Sequence, residues 1–157
     1  MALKGDRYVE LADISWNMNE VATRGGIVSM STGGSGAALD QAAALCTYAA
    51  NQSGKVPLGL LLGDMVNYDL TRQHINWQKD EVQQGGKVPV MIRGWAVTNF
   101  YVGTPTIGQN AYLGPSGYMT TVLTNIANNP MVGRFESVPD QDSYVKVRIG
   151  FPLGGPN

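Results

Sequence analysis

Few residues of this chain have side chains that could act as a nucleophile or as its base. The sequence contains one histidine, His74, and one cysteine, Cys46. A thiol nucleophile needs a base within hydrogen-bond reach, so an active site of this kind would have to bring these two residues together. Nothing in the local sequence around either one supports such a pairing. We interpret Cys46 as a small buried side chain and His74 as a surface residue, and we expect no enzyme activity.

Carboxylates occur in two arrangements that deserve a test as metal or acid–base sites. Asp140 and Asp142 resemble the beginning of a calcium loop, but the glycine and the distant glutamate of such a loop are absent. We therefore predict a turn capped by aspartate side chains. Asp80 and Glu81 are adjacent, which directs their side chains to different faces of any regular element. We expect no catalytic residue, no metal site and no cofactor.

The glycine-rich stretch Thr32-Gly33-Gly34-Ser35-Gly36 is the remaining candidate for a ligand site. Bare backbone amides can cradle an anion. However, the stretch lacks the Lys-Ser/Thr pair of a P-loop and the spacing of a dinucleotide-binding turn. We expect a surface loop.

Composition limits the class of protein. The chain has 157 residues, of which 43% are hydrophobic and only 15% charged. This length and this hydrophobic content are enough for one domain with its own core. The net charge of −1 gives no electrostatic reason to expect a nucleic-acid partner. The longest apolar run, Val56 to Leu62, is too short to span a bilayer, and the polar N-terminus does not resemble a signal peptide. We expect synthesis in the cytoplasm and no membrane partner.

Two strands and a turn are predicted at the C-terminal end. Met131–Ser137 and Tyr144–Ile149 are rich in β-forming residues, and the segment between them contains Pro139 and the two aspartates. In the last strand Tyr144, Lys146 and Arg148 alternate with apolar residues, so one face is core and the other is wet.

Earlier strands follow the same criteria. They are predicted at residues 24–31, 55–62, 87–94, 95–102, 111–113 and 118–121. Ala37–Ala50 fits a helix by alanine propensity or a strand–turn–strand, and we favour a strand for Ala44–Ala49. The predicted fold is mainly β: a small β-barrel or β-sandwich, β-tulip-like, with few short helices. It comprises residues 21–157 as one body with a polar excursion at about 67–86.

Residues 1–20 are predicted to be an extended N-terminal arm. Their apolar residues alternate with polar ones, as in a strand. In one interpretation Trp16 packs on the protein's own barrel. In the other, the arm adds a strand to a neighbouring subunit, and the candidate contact residues are then Tyr8, Val9, Leu11, Ile14, Trp16 and Met18.

The order of these motifs resembles the head decoration (capsid-stabilising, or cement) proteins of tailed bacteriophages. The resemblance covers about residues 24–149. It rests on the order and spacing of strands and glycines and on the ending Val-Gly-Arg-Phe then Tyr-Val-Lys-Val, within the segments 24–29, 56–62, 85–90, 94, 111–117, 132–135 and 144–149.

The resemblance implies a structural virion protein on the outer surface of the phage head. Such a protein is a β-rich homotrimer that binds the expanded capsid and bridges neighbouring major capsid subunits, with an N-terminal arm on the major capsid protein. The alternative is a virion-surface adhesin that binds glycans through exposed aromatic residues, the candidates being Trp77, Tyr101, Tyr112 and Tyr118. A small enzyme ranks last, for want of candidate groups.

Overall fold

The structure, a computed structural model, describes residues 2–31, 44–63, 81–124 and 129–150. The protein is mainly β and contains a closed five-stranded β-barrel. The strands in these ranges are β1 (Leu3–Met18), β2 (Ile27–Met30), β3 (Leu45–Thr47), β4 (Pro57–Leu61), β5 (Lys87–Thr98), β6 (Tyr101–Val102), β7 (Asn110–Leu113), β8 (Met119–Thr120), β9 (Met131–Phe135) and β10 (Val145–Gly150). A short 3-10 turn, Pro115–Gly117, joins β7 to β8.

The barrel is a ring in the order β1–β3–β2–β4–β5, closed by pairing of β5 with β1. β1 runs antiparallel to β5 from Leu3 to Asn17 and parallel to β3 at Asn17 and Met18. The hydrogen-bonded strand order continues from the C-terminal half of β5 as β5–β10–β9–β7–β8–β6, and we call this part the second sheet. β5 therefore belongs to both parts of the fold.

β5 changes partners along one edge. Leu60 and Leu61 of β4 pair with Met91 and Val90 of β5, whereas β10 pairs with residues 93–98. At the change, Gly94 has φ of +145°, and a β-carbon built there would lie 2.1 Å from the carbonyl oxygen of Tyr8. Only glycine allows this close approach of the two backbones together with that φ.

Adjacent residues of the barrel wall point to two separate cores, because side chains alternate across a strand. The side chains of Leu61, Val28 and Val90 face the inside of the barrel. Apolar residues next to them in the sequence face the second sheet. We call the first set the barrel core: Met18, Ala22, Val28, Cys46, Leu61, Val82, Val88 and Val90. The second core contains Leu3, Ile27, Leu60, Met91, Ala96, Ala111, Leu113, Met119, Val132, Phe135, Val145, Val147 and Ile149.

Residues 3–18 lie within the stretch that is predicted to be an extended N-terminal arm. This stretch is extended, as its periodicity indicated, but it is a strand of the body itself, hydrogen bonded to β5 along its length. The pairing partner lies about 80 residues later in the chain, and the local alternation of polar and apolar residues carries no information about it.

The other predicted elements agree with the structure where it describes them. β9 and β10 are the predicted closing strands, and β3 is the strand favoured over a helix within Ala44–Ala49. The rest of Ala37–Ala50 and most of the polar excursion at about 67–86 lie outside the described residues. The described end of that excursion contacts the barrel, because Val82 is buried and bridges to Ala22.

We expect the substitution Gly94→Ala to lower the free energy of unfolding by about 2–4 kcal/mol, through unfavourable φ and overlap with the Tyr8 carbonyl. Urea unfolding followed by circular dichroism measures this change. Gly5→Ala is the matched control, since Gly5 lies in β1 and its β-carbon would meet no atom within 4 Å. The control should change stability by less than about 0.5 kcal/mol. Equal effects of the two substitutions would contradict the role of Gly94.

Candidate binding surface

The sequence-predicted contact residues separate into two groups along β1. Tyr8, Val9, Leu11 and Ile14 are exposed, with 56% of Tyr8 and 50% of Ile14 accessible. The remaining two residues, Trp16 and Met18, lie against or within the barrel core. Trp16 is half-buried against the barrel core, and Met18 is fully buried within it.

Trp16 therefore follows the interpretation in which it packs on its own barrel. Met18 is not available for contact with a partner in this structure, because the end of β1 enters the barrel wall between β3 and β5. Of the predicted contact residues, the four exposed ones remain as the candidate surface.

One edge of β1 is not used by a neighbouring strand. β5 occupies one side of β1, and on the other side β3 pairs only at Asn17 and Met18. Within the described part of the chain, no strand pairs with the edge that faces away from β5 between residues 4 and 16. We call this the free edge of β1. A free edge presents backbone N–H and C=O groups in the geometry that another strand can pair with.

The side chains around the free edge are unusually accessible. Every residue from Gly5 to Ala12 is exposed, so both faces of the strand are open at this point. Charged residues lie between the apolar ones, and Glu10 contacts Arg93 of β5 at 3.7 Å. Charges on an edge strand oppose indiscriminate pairing. Exposed apolar side chains, interspersed charges and a free edge together suit a surface that binds a selected partner.

A local hydrogen-bond cluster shapes the strand beside this edge. The Asp13 carboxylate accepts hydrogen bonds from the backbone amide of Ser15 at 2.8 Å, its hydroxyl at 2.6 Å and the Trp16 indole Nε1 at 3.2 Å. Partial burial tends to raise the pKa of Asp13, but the hydrogen bonds from Ser15 and Trp16 outweigh it and hold the pKa below its ordinary value. The ionised carboxylate thus fixes the Trp16 ring against the barrel.

Cys46 is a buried structural residue, as predicted. Its Sγ lies 3.8 Å from Sδ of Met18, and burial, with a smaller effect of Glu20, raises the pKa of the thiol to about 12. The thiol is therefore protonated at neutral pH and a poor nucleophile. His74, the partner that catalysis would require, lies outside the described residues.

The carboxylates singled out in the sequence have structural roles where they are described. Asp140 Oδ1 accepts hydrogen bonds from the backbone amides of Asp142 and Tyr144 at 3.0 and 2.8 Å, which confirms the predicted capped turn. These hydrogen bonds hold the pKa of Asp140 below its ordinary value, and the bond from the Tyr144 amide has the largest effect. Glu81 accepts a hydrogen bond from the backbone amide of Arg24 at 2.9 Å.

Three of the aromatic residues considered for glycan binding are described, and each has different surroundings. Tyr101 packs against the second core. Tyr118 stacks on Phe100 with ring centroids 4.8 Å apart, and Tyr112 lies on the opposite side of the second sheet from its buried neighbour Ala111. Trp77 lies outside the described residues.

Sequence reasoning missed one surface. The side of the second sheet that faces away from the second core, which we call the outer face, carries Arg134 of β9 in register with Arg148 of β10. The alternation of Lys146 and Arg148 was visible in the sequence. The neighbouring strands that complete the surface were not, because their register depends on turns far apart in the chain.

No protein-family model matches the chain, and no curated protein matches it.

In the described ranges there is no group of three or more histidine, cysteine, aspartate or glutamate side chains placed to hold a metal ion. Those ranges also contain no helix with the length and apolar character needed to cross a membrane.

Asp13→Asn is expected to lower the free energy of unfolding by about 1 kcal/mol at neutral pH, because the charged acceptor of three hydrogen bonds is lost. The pKa of Asp13 is lowered by folding, so this contribution is present above its ordinary pKa and is lost as the pH falls through the lower folded value. The difference from the unsubstituted protein should therefore shrink as the pH falls below the ordinary pKa of an aspartate.

Urea unfolding at a series of pH values, followed by tryptophan fluorescence, measures that difference. Asp6→Asn is the control, since Asp6 lies on the same strand, is exposed and has no hydrogen bond to a described residue. It should leave stability unchanged at every pH. A pH-independent effect of Asp13→Asn would contradict the role of its charge.

Proposed function

We propose that this chain is a structural protein of a tailed-bacteriophage virion. It binds the outside of the expanded head and bridges neighbouring major capsid subunits. The observation that carries the proposal is the free edge of β1, where open backbone groups run beside exposed Tyr8, Val9, Leu11 and Ile14. The likeness of the strand and glycine order to head decoration proteins supports the choice of the partner.

Attachment proceeds by strand addition. A strand of the partner pairs with the free edge, and each backbone hydrogen bond contributes about 0.5–1.5 kcal/mol net. Full burial of a Leu or Ile side chain contributes about 1.5–3 kcal/mol more. The backbone bonds give affinity and the side chains select the partner.

The pairing of β1 with β5 lowers the cost of this attachment. Ordering a flexible segment costs about 1–2 kcal/mol per residue in backbone entropy. Because residues 3–17 are already held by β5, that cost is met when the protein folds rather than when it binds. Binding to a preformed edge is correspondingly stronger.

Several copies acting together strengthen the attachment. We propose a homotrimer, in which three free edges contact three places on the capsid. Each further contact then forms at a high effective concentration, so modest single affinities give a stable clamp. Such a clamp opposes separation of the capsid subunits without any reactive group.

Leu11→Asp is expected to weaken binding to expanded heads at least about tenfold. In the proposed complex the side chain at position 11 is buried against the capsid, and an aspartate there would be a desolvated charge. Co-sedimentation with purified expanded heads measures binding, with unexpanded precursor heads as the specificity control. Ile107→Asp is the matched variant. Ile107 is 72% exposed in a loop away from β1, so its substitution should leave binding unchanged.

Two results would contradict the proposal. One is equal binding of Leu11→Asp and the unsubstituted protein. The other is the absence of binding to any expanded head, together with binding on a glycan array that Tyr112→Ala abolishes, which would favour an adhesin.

A further inference from the structure

The outer face of the second sheet carries a row of residues in register across five strands. Trp95 of β5 is opposite Tyr8 on one side and Arg148 on the other, and Arg148 is opposite Arg134, which is opposite Asn110. Residues directly opposite each other point to the same face. Two arginines thus stand side by side on neighbouring strands, an arrangement that is unfavourable unless an anion compensates it.

Within the described ranges, an acidic side chain pairs with only one of these two arginines. Glu136 forms ion pairs with Arg148 and with Lys146, the latter at 3.4 Å. Arg134 is exposed and forms no ion pair with any residue in the described ranges. The guanidinium of Arg134 therefore offers its planar donor fork to solvent, and such a fork matches a carboxylate in two-point geometry.

An apolar row lies next to the arginines on the same face. Met131 is opposite Tyr112, which is opposite Thr120, which is opposite Val102. Met131 and Val102 are 50% and 51% exposed, and Val122, just beyond β8, is 63% exposed. The outer face thus combines an exposed arginine, which has no ion-pair partner among the described residues, with an apolar strip.

We propose that the outer face is a second binding surface, and that it takes an extended protein segment containing both acidic and apolar residues. A carboxylate of the segment binds Arg134 beside Arg148, and its apolar side chains lie on Met131, Tyr112 and Val102. The proposal is independent of the free edge of β1 and of any attachment to a phage head.

The chemistry of the face favours such a segment over two other classes of ligand. A nucleic acid would leave the apolar row without a partner, and its affinity comes chiefly from the neutralisation of several phosphates. A sugar would leave the Arg134 guanidinium without a carboxylate, and one of the aromatic rings on which it could stack, that of Trp95, is covered by Lys146 Nζ at 4.4 Å from its centroid.

Fluorescence anisotropy with labelled polymers and the full chain tests this inference. The probes are poly-L-glutamate, a random glutamate–tyrosine copolymer, poly-L-lysine and a duplex DNA. We expect the copolymer to bind more tightly than poly-L-glutamate, and poly-L-lysine not to bind. Arg134→Glu should weaken binding of both acidic polymers by about tenfold or more. Met131→Ser should weaken binding of the copolymer while leaving poly-L-glutamate unchanged.

Two further variants test whether the effect of charge depends on its position on the outer face. Lys55→Glu makes the same charge change on the β3–β4 connection, away from the outer face, and should bind like the unsubstituted protein. Glu136→Gln removes the carboxylate that neutralises Lys146 and Arg148, and should tighten binding of the acidic polymers about threefold.

The inference is overturned if neither acidic polymer binds, or if Arg134→Glu and Lys55→Glu have equal effects. It is also overturned if duplex DNA binds more tightly than the copolymer. None of these results depends on whether the chain decorates a phage head.

Discussion

The fold depends on β5 serving two structures at once. Its backbone pairs with β1 along one edge, and along the other edge it pairs first with β4 and then with β10. Near the change of partner, the backbones of Gly94 and of Tyr8 on the opposite edge lie closer together than a side chain at position 94 would allow. The barrel wall at β5 has a core on each side, and among the described strands only β5 pairs with the middle of β1.

That asymmetry produces the proposed function. A strand supported on one side is ordered before a partner arrives, yet its second edge is open for pairing. The exposed Tyr8, Leu11 and Ile14 beside that edge supply apolar area. The outer face of the second sheet differs in kind, because Arg134, which has no ion-pair partner in the part of the chain that the structure describes, favours an acidic ligand. One chain thus carries a surface suited to strand addition and another suited to charge recognition, and neither requires a reactive group.

The sequence was informative about local structure and uninformative about pairing. The closing strands β9 and β10, the turn at Asp140 and the strand nature of β3 follow from alternation and turn residues within ten positions. The place of β1 does not, because its partner is distant in the chain and its exposed apolar residues look the same in an arm and in an edge strand. Met18 illustrates the limit: only the three-dimensional pairing shows that it is buried. The register of Arg134 with Arg148 was inaccessible for the same reason.

A cryo-electron microscopy reconstruction of an expanded phage head with this chain bound would test the central claim most directly. The account predicts a strand of a major capsid subunit hydrogen bonded along residues 4–16, with Leu11 and Ile14 buried at the contact. Density that leaves residues 4–16 open to solvent, while the protein attaches through another surface, would contradict it.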